Sequence, residues 1–319
     1  MPDLPRISVC FLSFNHAAVL RETIGSVLAQ DFRDFELIIS DDCSRDESWS
    51  IIQELAQTDE RIRSIRPERN LGMADNANFA VAHARASSIA LLHHDDVCRP
   101  DLLSKWFAVI DQNPRVGFVS NAFQIGGSAR IDYHPFQTVT PGRWALRHQL
   151  LGRWDCPVRG TAMIRKEAWE QAGGMRSRFG LIADVDLWMR LAAAWDVGYV
   201  AEPLITVQAV RPRDYPEEYV NFSWNRLRLL FEIHGVNREE LLGKLTPKAK
   251  AEFFWFRARL GIEELRWLAY AIVKRKPGML IDSAQVENVY ELAVSRWMRS
   301  GLRRAAQALT PPESKRGEQ

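Results

Sequence analysis

Two adjacent acidic pairs, Asp41-Asp42 and Asp95-Asp96, each follow a short apolar run, and a third such run ends in Ser13-Phe14-Asn15. If those runs are strands of one open sheet, all three clusters reach its carboxyl rim, where ligands of such sheets bind. Carboxylates gathered on one rim repel each other and raise their own pKa values unless a cation or hydrogen-bond donors sit among them. Oxygen ligands of this kind suit a hard divalent ion, Mg2+ or Mn2+, bridging phosphate oxygens. The plainer reading is that Asp42 and Asp96 merely cap the loops that follow. Two pairs at matching positions favour the ligand reading. The second pair is preceded by His93-His94, but neighbouring strand side chains point to opposite faces, so both cannot meet one metal. A zinc site would also lack a third soft ligand, and neither histidine is assigned a catalytic role.

The elements that must position these residues follow from periodicity. Ile7–Leu12, Phe35–Ile39, Ile62–Ile65, Ile89–Leu92 and Val116–Ser120 read as strands. Helical spacing of apolar residues appears over Ala18–Ala29, Met73–His83 and Leu102–Ile110. Ser44, with Glu47 three residues on, predicts a capping box opening the helix that carries Ile51, Ile52 and Leu55. Strands joined by crossover helices lie parallel, which predicts an α/β fold with a doubly wound, mainly parallel sheet flanked by helices. From 126 to 157 no period holds, as expected of a functional or mobile segment. Order returns with Ala162–Ile164, a helix from about Lys166, another from about Asp184 to Ala194, and strands near Gly198–Val200 and Leu204–Val207.

Composition bounds the rest. Of 319 residues 46% are hydrophobic and 26% charged, which excludes a disordered or fibrous chain. Residues 1–210 carry 22 basic and 26 acidic side chains, and 211–319 carry 20 and 14. This asymmetry predicts two regions, a catalytic domain over 1–210 and a helical, basic, aromatic-rich region over 211–319. The aromatics of 214–309 could pack on the catalytic domain, form a dimer surface or lie peripherally on anionic lipid; packing is expected to take most of them. A net charge of +2 gives no nucleic-acid coat. The four cysteines show no metal or CxxC spacing, no leader is apparent, and no apolar run nears the roughly 18 residues of a span. A cytoplasmic protein is expected, with the inner face of the membrane as a peripheral site.

The motifs Ile7–Asn15, Phe35–Ser48, Asn70-Leu71-Gly72, Asn78 and Leu91–Asp96 resemble, in order and spacing, the nucleotide-binding half of family 2 inverting glycosyltransferases, which have the GT-A fold. Arg159–Ile164 (RGTAMI) and Ala183–Leu191 (ADVDLWMRL) resemble that family's acceptor side. The resemblance implies that Ser13 and Asp41, with Asn15, Asp42 and Asn70 beside them, hold the base end of a nucleotide sugar. It further implies that Asp95 approaches the ribose, Asp96 with Asp95 binds Mn2+ or Mg2+ at the diphosphate, and Asp184 is the catalytic base. Asp186, also in the first turn of its helix, is the rival base, and Asp184 as a plain helix cap is the structural alternative. Three departures from the family pattern stand out: His93 for an aspartate, Ala183 for the glutamate before the base, and Val207-Gln208-Ala209-Val210 for Tyr-Arg-x-His. Arg211 and Arg213 could clamp phosphate in place of the last.

The expected activity is transfer of a sugar from a nucleotide diphosphate to a hydroxyl of a carbohydrate or lipid-linked acceptor, in surface polysaccharide or glycolipid assembly. The departures motivate the alternative, a sugar-nucleotide-binding or scaffolding protein with impaired catalysis.

Overall fold

The computed structural model describes residues 4–126, 131–151, 156–207 and 224–242. Strands β1 (Ile7–Ser13), β2 (Phe35–Asp41), β3 (Ile62–Ile65) and β4 (Ser88–His93) form a parallel half-sheet in the order β3-β2-β1-β4. Every residue of β1 and β2 is buried, which is why both read as unbroken apolar runs, the mark of a strand covered on both faces. Register pairs Ser13 with Asp41 and Leu12 with His93, so the three carboxyl ends finish nearly level. The covering helices are α1 (Ala17–Leu28), α2 (Ser48–Thr58), α3 (Met73–Ala82) and α4 (Leu102–Gln112). Helix α2 opens without a side-chain cap, and Glu47 occupies the cap position itself. The expected capping box is therefore absent, because Ser44 Oγ is engaged by the backbone N–H of Asn15, 2.9 Å away.

The other half of the sheet is mixed. Strand β6 (Val116–Ile125) runs in the direction of β4, as its crossover through α4 requires, but β9 (Ala162–Arg165) lies between them, antiparallel to both. Beyond β6 the order continues to β10 (Asp196–Val207) and β5 (Asp96–Cys98), which is antiparallel to β10. The two strands expected over 198–207 are one, with register shifts against β6 around Pro203, where proline offers no N–H to the ladder. Part of the stretch expected to be irregular is ordered. Strand β7 (Ile131–Asp132) pairs with β6, β8 (Val139–Thr140) pairs with β10, and α5 (Gly142–Ala145) runs into a π turn over Leu146–Leu150.

Helices α6 (Lys166–Ala172) and α7 (Ala183–Ala194) follow β9. Leu187, Trp188 and Leu191 of α7 are completely buried, and the Trp188 ring packs 5.0 Å from Phe118 of β6. This aromatic contact, typical of cores, fixes the start of α7 relative to the sheet. The last described element is α8 (Trp224–Leu242). Residues 1–215 with 233–237 form one compact unit, and 216–232 with 238–319 group as a second. The expected division at 210 and most of the helical rear region lie outside the described residues. Among the described residues no helix is long and apolar enough to cross a membrane.

Candidate active site

The first wall of the site is the loop pair after β1 and β2. Asn15 and Cys43 adopt left-handed backbone conformations, φ 52° and 59°, a region in which asparagine is among the better-tolerated residues. Asn15 Oδ1 accepts the N–H of Arg45 at 2.8 Å, which locks the two loops together. Asp41, fully buried, accepts the Ser44 N–H on Oδ2 at 3.0 Å and faces Arg66 Nε at 3.3 Å. Its Oδ1 and the Ser13 Oγ are buried with no hydrogen-bond partner among the described residues. Ser13 and Asp41 are register partners at the ends of β1 and β2, so both unmatched atoms belong to the same stretch of the rim. Burial raises the Asp41 pKa, against the Ser44 bonds and Arg66. Unmatched buried polar atoms are costly, and a ligand donor beside them relieves that cost.

Asp42 and Asn70 do a different job. The Asp42 carboxylate accepts the N–H groups of Leu71 (2.6 Å) and Gly72 (2.8 Å), while its carbonyl accepts Asn70 Nδ2 at 2.8 Å. Gly72, at φ 79°, turns the chain into α3 through a conformation that favours glycine. Both residues therefore hold the 70–72 loop, and of the first acidic pair it is Asp41 that keeps an oxygen available.

The second pair sits where β4 ends and β5 begins. Asp96 is fully buried at the start of β5, opposite Val207 of β10. Its Oδ1 is 3.5 Å from Arg159 Nη2, and its Oδ2 is enclosed with no partner among the described residues. Burial pushes its pKa up to about 7, with Arg159 opposing and Asp95 adding to the rise. Asp95 goes the other way: burial would raise it, but His94, His93 and Arg159 together hold it below the usual carboxylate range. The His94 ring lies on His16, centroids 3.5 Å apart, with Nδ1 3.2 Å from the Leu12 carbonyl. Enclosure and the neighbouring His16 push its pKa down. His93 turns instead toward Gly160. The point where a Cβ on Gly160 would sit is 3.0 Å from His93 Nε2 and 3.6 Å from Asp184 Oδ2. Glycine is needed at 160 because any side chain would strike that ring.

Asp184 and Asp186 separate cleanly. Ile182 takes the cap position of α7 without a side-chain bond, so Asp184 is the second helical residue and not the cap. Its carboxylate faces Gly160 and the His93 ring. Asp186 has no exposure at all. It receives Arg190 Nε at 2.8 Å and Nη2 at 2.7 Å on Oδ2, and Asn237 Nδ2 at 2.8 Å on Oδ1, with Arg176 3.6 Å away. Ala183, at the position of the family's glutamate, is fully buried.

Arg159, Gly160 and Asn237 had no assigned role in the sequence. The first two lie in the RGTAMI motif, whereas nothing in residues 224–242 marks Asn237. Residues 208–210 of the third departure, with Arg211 and Arg213, lie outside the described residues. Among the described residues no three His, Cys, Asp or Glu side chains converge as a metal cluster. The expected cation ligands are the Asp95-Asp96 pair. The unmatched Oδ2 of Asp96 and the all-oxygen donor set do fit a hard divalent ion whose remaining ligands come from phosphate and water.

A mixed sheet with a parallel half and flanking helices is the architecture of the GT-A fold, and solved structures share it. S. aureus TarS (residues 1–349 with UDP-GlcNAc) superposes with TM-score 0.66 at 15% identity, covering 95% of this chain and 88% of that one. The mannosyltransferase PcManGT of Pyrobaculum calidifontis, solved with GDP-Man and Mn2+, gives 0.50 at 19%, covering 96% and 87%. Residues 8–173 match the family model for Glycosyl transferase family 2, and the chain belongs to that family. The putative glycosyltransferase EpsE of Bacillus subtilis is 28% identical over 202 residues, 61% of this chain and 69% of EpsE. Of the other curated relatives one is matched over 67% of its length and another over 15%.

Proposed function

We propose that the protein is an inverting, divalent-cation-dependent glycosyltransferase that moves one sugar from a nucleotide diphosphate to a hydroxyl of a carbohydrate or lipid-linked acceptor. Its setting is the assembly of cell-surface polysaccharide or glycolipid, at the cytoplasmic face of the membrane. The observation that carries this reading is the position of Asp184 Oδ2, beside Gly160 and near the ring of His93, the last residue of β4. Inversion needs an acceptor oxygen to attack opposite the leaving diphosphate and to lose its proton as the bond forms. Asp184 takes that proton. Ser13 and Asp41 receive the base, Asn15, Asp42 and Asn70 hold the loops around it, and Asp95 approaches the ribose. Asp96, with Asp95, holds Mn2+ or Mg2+, which when bound offsets the charge of the departing diphosphate. The Mn2+ and GDP-Man in PcManGT, and the UDP-GlcNAc in TarS, support the donor class. Tyr133 and Trp144, large rings exposed on the stretch after β6, are apolar faces suited to a sugar acceptor. The buried Ala183 favours the second reading, a binding protein with weak catalysis, and turnover of the donor separates the two.

The test is a thermal-shift screen with UDP, GDP, dTDP and CDP, each with and without Mn2+. Binding at ~100 times Kd stabilises by about 2.7 kcal/mol, so one nucleotide should raise the melting temperature by several degrees, and only with the cation. No shift with any of them defeats the reading. Within the same assay Asp96→Ala should abolish the Mn2+-dependent part of the shift while the ligand-free protein still melts cooperatively. Unchanged metal dependence in that variant would move the cation elsewhere.

A further inference from the structure

Arg159 is poorly matched to its partner. A guanidinium normally grips a carboxylate with two parallel N–H groups at about 2.8 Å, yet Arg159 reaches Asp96 with one, at 3.5 Å. Its guanidinium also lies over the face of Phe123 in β6, with Cζ 5.0 Å from the ring centre, and its charge acts on Asp95 as well. The side chain remains 30% exposed while Asp96 is wholly buried. Arg159 therefore answers the charge of Asp96 without satisfying it: the second oxygen stays unmatched. A buried carboxylate answered this loosely is a group whose partner can be exchanged.

Taking the functional reading above as its basis, we propose that Arg159 stands in for the cation at Asp96 in the donor-free protein, and leaves for the diphosphate when donor and cation arrive together. Two consequences follow from charge alone. While Arg159 faces Asp96 its positive charge repels a divalent ion, so the donor-free protein binds the bare ion weakly. Once a diphosphate is present, its negative charge accepts Arg159 through paired N–H···O bonds and simultaneously attracts the ion. Donor and cation then favour each other's binding, and such coupling is reciprocal. The tether suits an exchange, since a ring face holds the guanidinium without directional hydrogen bonds, and Gly160, next in the chain, adds no side chain to obstruct it.

The experiment measures Mn2+ affinity, from the free-ion spin-resonance signal, in wild type, Arg159→Gln and Arg159→Lys. Each is titrated alone and with UDP, GDP, dTDP or CDP. Arg159→Gln, which keeps reach but loses charge, should bind Mn2+ alone roughly tenfold more tightly than wild type. It should also show a smaller gain in Mn2+ affinity when the nucleotide is added. Arg159→Lys keeps the charge and should stay within about twofold of wild type. Unchanged or weaker Mn2+ binding in Arg159→Gln overturns the proposal, as does Arg159→Lys matching it. Failure of all four nucleotides to bind wild type overturns the functional reading instead. Binding of one of them, together with an unaltered Mn2+ affinity in Arg159→Gln, removes Arg159's role alone.

Discussion

Asp184→Asn should lower sugar transfer by roughly 10²-fold or more, the scale of a lost general base, while nucleotide affinity and melting temperature barely move. The substitution keeps the shape and one carbonyl oxygen but removes the group that accepts a proton. Asp184 is not the cap of α7, a role filled by Ile182 without any side-chain bond, so its amide need not sustain the helix end. The anchors of the helix are Leu187, Trp188 and Leu191, all fully buried and untouched by the change. The variant should therefore give the same Mn2+-dependent thermal shift with the preferred nucleotide, yet fail to convert acceptor in a single-turnover assay. Normal transfer by Asp184→Asn would remove it as the base. Lost nucleotide binding would place Asp184 on the donor and not on the acceptor.

What the sequence makes legible here is what depends on short range. The parallel half of the sheet reads correctly because its strands are buried on both faces and leave continuous apolar runs. The antiparallel insertion of β9 between β4 and β6 is invisible from the chain, because a four-residue strand carries no mark of its neighbours. Ser44 shows how a local rule yields to a distant one: a serine three residues before a glutamate suits a cap, but the left-handed turn at Asn15 claims its hydroxyl. The acidic pairs show the limit of residue type as a guide. Asp41 and Asp42 look equivalent in the sequence, yet alternation sends one to the rim beside Ser13 and the other into the backbone of the 70–72 loop. Asn237 lies 51 residues from the carboxylate it holds, and no pattern could connect them.

That long-range contact underlies the second large expected effect. Asp186→Ala should destabilise the protein by about 3–5 kcal/mol, the usual cost of breaking a buried ion pair by removing one partner. Arg190, almost wholly buried, would keep its charge and lose the carboxylate that its Nε and Nη2 meet. Asn237 Nδ2 would retain just the Ile233 carbonyl, its acceptor within α8. Removing both charges as Asp186→Leu with Arg190→Met should recover only part of the loss. Arg190 also donates to the carbonyls of Ala172 and Gly174, which would then be left without that donor. The expected signature is a fall in melting temperature of roughly 10 °C for Asp186→Ala. At a temperature well below its transition, transfer per folded molecule should drop far less than in Asp184→Asn. This contrast distinguishes the two aspartates where activity at one temperature could not, since a protein that unfolds during the assay also looks inactive. A variant that melts normally and still loses transfer would make Asp186 the proton acceptor. Its burial argues against that: with Arg190 on one oxygen and Asn237 on the other, the carboxylate has no open side to offer an acceptor hydroxyl.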